Sequence, residues 1–462
     1  MKYPLVCLER GTSLQNAIQQ IGRSPFDRAF VLDGDGAFAG CVAISDLRRL
    51  LVSGARSDDA VDSYPMRHDY RLTDDSLDNP RLVRDLVADM ELKGVRFLPV
   101  VDAAGKVTEV FALEDLAGRF GITGIGDASG GGSAPVRRVL VVGGAGFLGS
   151  ILTRKLLKRG FAVRVLDSFI YGRRSLDGLA GERNLEVVEG DLRNIHTCVT
   201  ALGDVDAVVL LAAVVGDPAS KVRPTQTIET NVLAALALAK ASKLQHIPRF
   251  IYASTCSVYG VGADVLDEES PLNPVSLYAR TKIESEKIIL GMGDGYFCPT
   301  ILRMGTLYGF SPRMRFDLVV NTMSMKAQVG GGIQVFGGNQ WRPLLGVEDA
   351  AEVYVRCLEA PLEKVGNQVF NVGSDRQNYQ IDDVARIISE ALGGVPVMRD
   401  DSNLDARDYR VSFAKLADVL GYEPRQAIDR SAREIVENLA SGAIKDPAHR
   451  IYYNHYFDSA EE

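Results

Sequence analysis

The stretch RRVLVVGGAGFLGSILTRKLLKRG, Arg137 to Gly160, decides the fold. Val139 to Val142 is apolar without a break, as expected of a strand buried on both faces. It runs into the turn GGAGFLGS, where Gly143, Gly146 and Gly149 stand three apart and Phe147 and Leu148 lie between them. A helical pattern follows at once. Glycines at this spacing allow a tight turn and let a diphosphate approach the amides at a helix N-terminus. The next strand pattern, AVRVLD, ends at Asp167, 24 residues after Gly143. A carboxylate there can hold both ribose hydroxyls and repels a 2′-phosphate. The stretch therefore predicts a dinucleotide site for NAD rather than NADP. Arg173 and Arg174, just downstream, argue the other way.

Further on, apolar strand patterns alternate with helical ones: LEVVEGD, AVVLLAA, RFIYAST and PTILRMG. That alternation predicts an α/β fold, a Rossmann-type doubly wound parallel sheet with a small C-terminal substrate lobe. Asp191 and Leu192, after the third strand, are placed against the adenine ring, with a helix N-cap as the other reading of Asp191. Leu211, Ala212 and Ala213 end the fourth strand, where small residues let the backbone lie against the dinucleotide.

The fifth strand ends in STCSVYG, Ser254 to Gly260, and YARTK follows with Tyr278 and Lys282 four apart. On a helix these two share a face. An ammonium beside a phenol favours the phenolate, which can take an alcohol proton while hydride leaves to a nicotinamide. Together these pieces resemble the extended short-chain dehydrogenase/reductase family, the nucleotide-sugar epimerases and dehydratases, over about residues 136–425. The resemblance implies that Tyr278 is the acid/base and that Lys282 holds the nicotinamide ribose. It makes Thr255 the catalytic hydroxyl residue, with Ser257 beside the substrate. LRMGTLYG matches the family's sixth-strand motif, with Thr306 where an asparagine usually contacts the sugar nucleotide. Arg342, in GGNQWRPLLG, is implied as a diphosphate ligand, and Arg407 as a second, with Arg410 as the alternative. NQVFNVGSD, Asn367 to Asp375, is expected to pack the substrate lobe. The loop Phe310 to Asn321 is expected to close over the nucleotide, with Arg313 and Arg315 as further phosphate contacts.

The two residues after Thr255 bear on the reaction. In the family resembled, members that eliminate water carry Asp-Glu there. Decarboxylating members carry Glu second, and 3,5-epimerases carry Cys second. This chain has Cys256 and Ser257, and Cys256 reads as a small buried hydrophobe. What remains suits an NAD-dependent nucleotide-sugar 4-epimerase working through a transient 4-keto sugar. The alternatives are a 4-keto reductase or dehydrogenase that releases NADH, and a non-enzymatic NAD- and adenylate-sensing protein.

The 462 residues suit more than one domain. GDASGGGSAP, residues 126–135, reads as a linker between residues 1–125 and a catalytic domain over 136–450, with an aromatic tail at 451–462. Within residues 1–125, AFVLDGDGAFAGCVAISDLRRLL and FLPVVDAAGKVTEVFALEDLAGRF repeat one pattern of strand, acidic-Gly turn, strand and helix. TSLQNAIQQIG and RLVRDLVADMELKG supply a preceding helix for each copy. This resembles a tandem CBS pair of α+β type, which implies an adenine nucleotide held by Asp46 and Asp115. Ala43 and Ala112 replace the family's usual hydroxyl residues, and Glu109 stands where the first copy has Gly40. A ligand-sensing role and an oligomerising role both stay open.

The net charge of −8 favours neither nucleic acid nor anionic membrane as partner. The apolar run Ala207–Val215 is too short to span a bilayer, and Glu9 and Arg10 interrupt the N-terminus before any signal core. A cytoplasmic protein is expected. Six scattered cysteines and five histidines show no metal-ligand spacing, so no metal is expected. Apolar faces on Asn231–Leu244 and on the Tyr278 helix predict a homodimer or higher, through the four-helix interface implied by the family.

Overall fold

The computed structural model describes residues 6–22, 28–43, 47, 50, 55–64, 66, 71–73, 83, 97–119, 136–245, 247–294, 297–400 and 407–454. Asp46, the linker up to Pro135, most of the helical pattern between Arg81 and Gly94, and the tail beyond Asn454 lie outside them. The chain forms two compact units, Met1–Ser133 and Ala134–Glu462.

The first unit is built from a repeat. Val6–Glu9 runs parallel to Arg28–Leu32, which pairs antiparallel with Phe38–Ala43. Leu72–Thr73 runs parallel to Phe97–Val101, which pairs antiparallel with Val107–Ala112. The two hairpin turns share their chemistry. The Asp33 amide donates to the Ala37 carbonyl at 2.8 Å and the Asp102 amide to the Lys106 carbonyl at 2.9 Å. Gly36 and Gly105 take φ of 85° and 80°, a conformation open to glycine. The hairpins meet where the Phe38 amide donates to the Gly105 carbonyl at 2.9 Å. Phe30, Phe38 and Cys41 then pack against Val101 and Val110.

The second unit centres on a seven-stranded, wholly parallel sheet. From one edge the strands are Gln368–Val372, Cys298–Met304, Arg249–Thr255, Ala207–Leu210, Arg138–Val142, Ala162–Asp167 and Leu185–Glu189. Chain order reverses between Arg138–Val142 and Ala207–Leu210. Ligands of open α/β sheets bind beyond the strand ends at such a switch point. The helices Phe147–Lys158 and Val347–Glu359 cover one face, burying Leu152, Leu156, Ala351 and Tyr354. Ile195–Ala201 and Ala235–Leu244 cover the other, burying Cys198, Leu238 and Ala239.

Two expectations change. Asn367–Asp375 does not belong to the substrate lobe: Gln368–Val372 is the edge strand of the main sheet, paired from Thr300 to Met304. Its apolar, β-branched content suits that place. Nor is the helix through Asn231 regular. Glu229–Ala234 forms a π-helical turn before the α-helix Ala235–Leu244. The wider turn directs Asn231 inward, where it is buried. Its side chain accepts from the Val214 amide at 2.8 Å and donates to the Val214 carbonyl at 3.0 Å and to Thr281 Oγ1 at 3.2 Å. A π-turn is a common device where a side chain must be re-aimed at a site. Here it ties the fourth strand's end to the helix of Tyr278.

The C-terminal lobe packs the helices Val319–Val329, Ile381–Ala391 and Ile428–Ala440 around Val320, Leu344 and Ile388. Its strands Trp341–Gly346 and Asp408–Val411 carry Arg342 and the segment from Arg407 to Arg410 towards the sheet.

Candidate active site

The glycine turn is shaped by two close backbone approaches. Gly143 has φ of 89°, and a Cβ there would lie 2.7 Å from the Ala212 amide nitrogen. A Cβ on Gly149 would lie 2.0 Å from the Gly143 carbonyl oxygen, so only hydrogen fits. Gly146 caps the helix Phe147–Lys158, whose first amides lack intrahelical acceptors. Asp167 Oδ2 accepts from the Ala145 amide and Oδ1 from the Phe169 amide, both at 2.9 Å. Burial pushes this carboxyl above its ordinary range, against the pull of those amides and of Arg313. Such a cradle fits a dinucleotide: a bare backbone at a helix start, beside a fixed carboxylate. Arg173 is paired with Glu189 and stacked 4.2 Å from the centroid of the Phe169 ring. Asp191 is bound to Arg193 at 2.6 Å and half-exposed. It is not the cap of the following helix, because Asn194 fills that place. Leu192 is buried, and Leu211 and Ala213 are half-buried beside Ala212.

At the end of the fifth strand, Thr255 Oγ1 accepts from the Ser257 amide at 3.1 Å and closes a one-turn 3₁₀ helix, Cys256–Tyr259. Ser276 caps the helix Leu277–Gly291 through the Ala279 amide at 3.1 Å, and this sets Tyr278 in its first turn. The Thr255 hydroxyl lies close enough to pull the Tyr278 phenol pKa down. Lys282 Nζ donates to the Ala253 carbonyl at 2.9 Å and lies 5.9 Å from the centroid of the Tyr278 ring. Below them Glu286 binds Arg303 through both oxygens, at 2.8 to 3.2 Å, and also Ser254. Arg303 reaches Tyr259 Oη at 2.9 Å. This buried network fixes the floor of the site.

The tyrosine does not behave as the residue spacing suggests. Burial drives its pKa well up, Arg315 and the Thr255 hydroxyl pull it down, and Asp217 pushes it up. In this state the phenol is neutral, because loss of hydration outweighs the nearby cations. Burial also takes Lys282 down to about 7, with Glu286 opposing.

On the substrate side Arg342 is buried, 5.8 Å from the centroid of the Tyr409 ring, and donates to the carbonyls of Trp341 and Arg407. Arg407 turns towards Asp217, at 3.5 Å, whereas Arg410 stacks on Trp341 at 5.4 Å from the ring. Of the two candidates, Arg407 is the one near the tyrosine's surroundings. Ser257 is buried, and its hydroxyl opposes the upward push that burial gives the Tyr409 phenol. Thr306 is half-buried in a short strand beside Trp341–Gly346. The loop after it is seated on the glycine turn, with Ser311 Oγ donating to the Phe147 carbonyl at 2.7 Å.

A family model for the NAD dependent epimerase/dehydratase family matches residues 139–373, just over half of the chain. The chain belongs to that family. A CBS domain model matches residues 1–53. Among curated proteins the chain is similar to the low-salt glycan biosynthesis protein Agl12 of Haloferax volcanii. The two are 29% identical over 309 residues, covering 65% of this chain and 97% of Agl12. It is also similar to a UDP-glucose 4-epimerase of Lactobacillus helveticus, 28% identical over 257 residues, covering 51% of this chain and 76% of that one. Among solved structures, MoeE5 in complex with UDP-glucuronic acid and NAD aligns with a TM-score of 0.58 and 26% identity. That alignment covers 66% of this chain and 99% of MoeE5. Nucleotide-sugar decarboxylases and dehydratases also occur among the relatives.

For this NAD-dependent family the cradle at Gly143–Gly149 and the carboxylate of Asp167 are in keeping with the cofactor. One charged residue, Asp217, was not singled out in the sequence, and Arg315, expected as a phosphate contact, acts on Tyr278 as well. Asp217 caps no strand and matches no motif, yet it sits within the field of Tyr278. Its Oδ1 is buried and has no donor among the described residues, which leaves an acceptor for an incoming hydroxyl. Arg315, held by Asp317 at 2.7 Å, brings a cation into the field of Tyr278 and pulls its pKa down. Among the described residues no helix is long and apolar enough to cross a membrane, and no cluster could hold a metal. Asp115 is half-buried; Asp46 lies outside the described residues.

Proposed function

We propose that this protein is a nucleotide-sugar 4-epimerase. The carrying observation is the state of the two residues after Thr255. Cys256 is buried, its thiol pushed far up by burial and bonded to the Arg303 carbonyl at 3.2 Å. Ser257 is a buried hydroxyl beside Tyr409. Neither supplies the extra acid or base that elimination or decarboxylation calls for, and Tyr278, Lys282 and Thr255 remain.

Bound NAD supplies a hydride acceptor that later gives the hydride back. The chain's own residues do the rest. Thr255 orients the sugar C4 hydroxyl, and Tyr278 Oη takes its proton, returning it when the ketone is reduced from the other face. Lys282 holds the nicotinamide ribose and steadies negative charge on Tyr278 as it develops. Phe147, Leu148, Leu192 and Leu211–Ala213 line the dinucleotide, Asp167 takes the adenosine ribose, and Asp191 stands beside the adenine. Arg342 and Arg407 grip the substrate diphosphate, with Ser257 and Thr306 nearby. The CBS repeat at residues 1–125 binds an adenine nucleotide and regulates the enzyme.

Mass spectrometry of the purified protein, followed by NMR of its products, tests this reading. NAD and an adenylate are expected to co-purify, and UDP-hexoses to interconvert at C4 without added cofactor. Sustained release of NADH would make the protein a dehydrogenase instead. A homodimer through the helices at residues 228–244 and 277–291 fits the more than half-exposed Leu233 and Leu244. Light scattering should give at least twice the chain mass, and a monomer would remove this part.

A further inference from the structure

The segment Arg450–Asn454 crosses the catalytic unit far from its sequence neighbours. The Phe316 amide donates to the Tyr452 carbonyl at 2.9 Å, and the two rings meet edge to face at 5.6 Å. Two residues on, Asn454 Oδ1 accepts from Arg313 Nη2 at 2.7 Å, and its Nδ2 donates to the Val215 carbonyl at 3.5 Å. Val215 lies just past the fourth strand. Arg313 stacks 3.7 Å from the centroid of Tyr171, which follows Asp167 in the loop after the second strand. One short segment thus joins the loops beyond two strands that flank the switch-point strand.

Arg313 is the unusual member. It is 5% exposed, and its Nε is buried with no acceptor among the described residues. Burial lowers its pKa to about 10, and the Asp167 carboxylate opposes that shift. A buried guanidinium needs anionic or polar oxygen acceptors to offset its lost hydration. The Asp167 side of the turn is where the ribose and diphosphate of a dinucleotide lie.

From this geometry we infer that Arg313 donates to the ribose–diphosphate portion of the dinucleotide and that the segment Arg450–Asn454 clasps it there, keeping the dinucleotide resident. This inference rests on the epimerase reading, in which one bound cofactor serves successive turnovers. A clasp of this kind slows release without touching the reacting carbon.

Retention of NAD through gel filtration tests it, in the full chain and in the variants Asn454→Ala and Arg313→Met. Asn454→Ala removes the bridge and keeps the Tyr452 packing, so folding is not at stake. A lost charge-assisted hydrogen bond corresponds to roughly tenfold or more. Wild type is expected to keep its NAD, and both variants to lose it at least ~10-fold faster, with an unchanged melting temperature in saturating NAD. Equal retention in all three proteins would overturn the clasp while leaving the epimerase reading intact. A wild type that binds no dinucleotide at any concentration would overturn both.

Discussion

Tyr278→Phe should abolish turnover, by about 10³-fold or more, while NAD content and melting temperature stay near those of wild type. The substitution removes one oxygen and little volume. Thr255 keeps the Ser257 amide at 3.1 Å. Two of the neighbouring titratable groups are already engaged. Cys256 is buried and bonded to the Arg303 carbonyl, and Lys282 is bound to the Ala253 carbonyl. Among the described residues the buried oxygens without a partner in the field of Tyr278 are Asp217 Oδ1, Tyr252 Oη and Tyr354 Oη, and Asp217 is the carboxylate among them. Residual activity with a different pH dependence would therefore point to Asp217. Unchanged activity would remove the acid/base assignment altogether. Turnover should be followed by NMR of the product, and NAD by its release on denaturation.

Lys282→Met should show two effects of opposite sign. Turnover should fall about 10²-fold, because nothing else steadies charge on Tyr278 from that side. Stability should rise. Lys282 is 3% exposed, and its pKa in the folded protein is about 7, against about 10.4 in an unfolded chain. Between those values the unfolded chain holds a proton that the folded protein lacks. Wild-type stability therefore rises with pH across this window and is lost again as pH falls through the folded value. Methionine carries no such proton. At pH 7 and below, the variant should be more stable by about 1–2 kcal/mol, after allowing for the lost bond to Ala253. That is a rise of roughly 2–8 °C in the melting temperature of the catalytic unit. The advantage should shrink towards pH 10. A variant less stable than wild type at pH 7 would show that the buried ammonium is already compensated.

The frame of the site was legible because local sequence dictates it. The turn at Gly143–Gly149 cannot be built with side chains, so its glycines announce it. Tyr278 and Lys282 are four apart on one helix, so their meeting needs no knowledge of the fold. Asp217, Arg313 and Arg315 were not legible as a group. Asp217 meets Arg407 across 190 residues of chain, and Arg313 meets Asn454 across 141; no spacing rule reaches that far. The edge strand Gln368–Val372 was misplaced for a related reason. Its apolar pattern identifies a strand, but only pairing with Cys298–Met304 shows which sheet it joins. The neutral state of Tyr278 was misjudged because sequence shows the neighbouring charge and hides the burial that outweighs it.

The central claim is that hydride leaves C4 of a nucleotide sugar and returns to the same carbon. The most direct measurement follows deuterium placed at C4 through one conversion by the purified enzyme. The account predicts a C4 epimer that keeps its deuterium at C4, with none released on free NADH and none moved to C6. Deuterium at C6 with loss of water, or deuterium on released NADH, would contradict it.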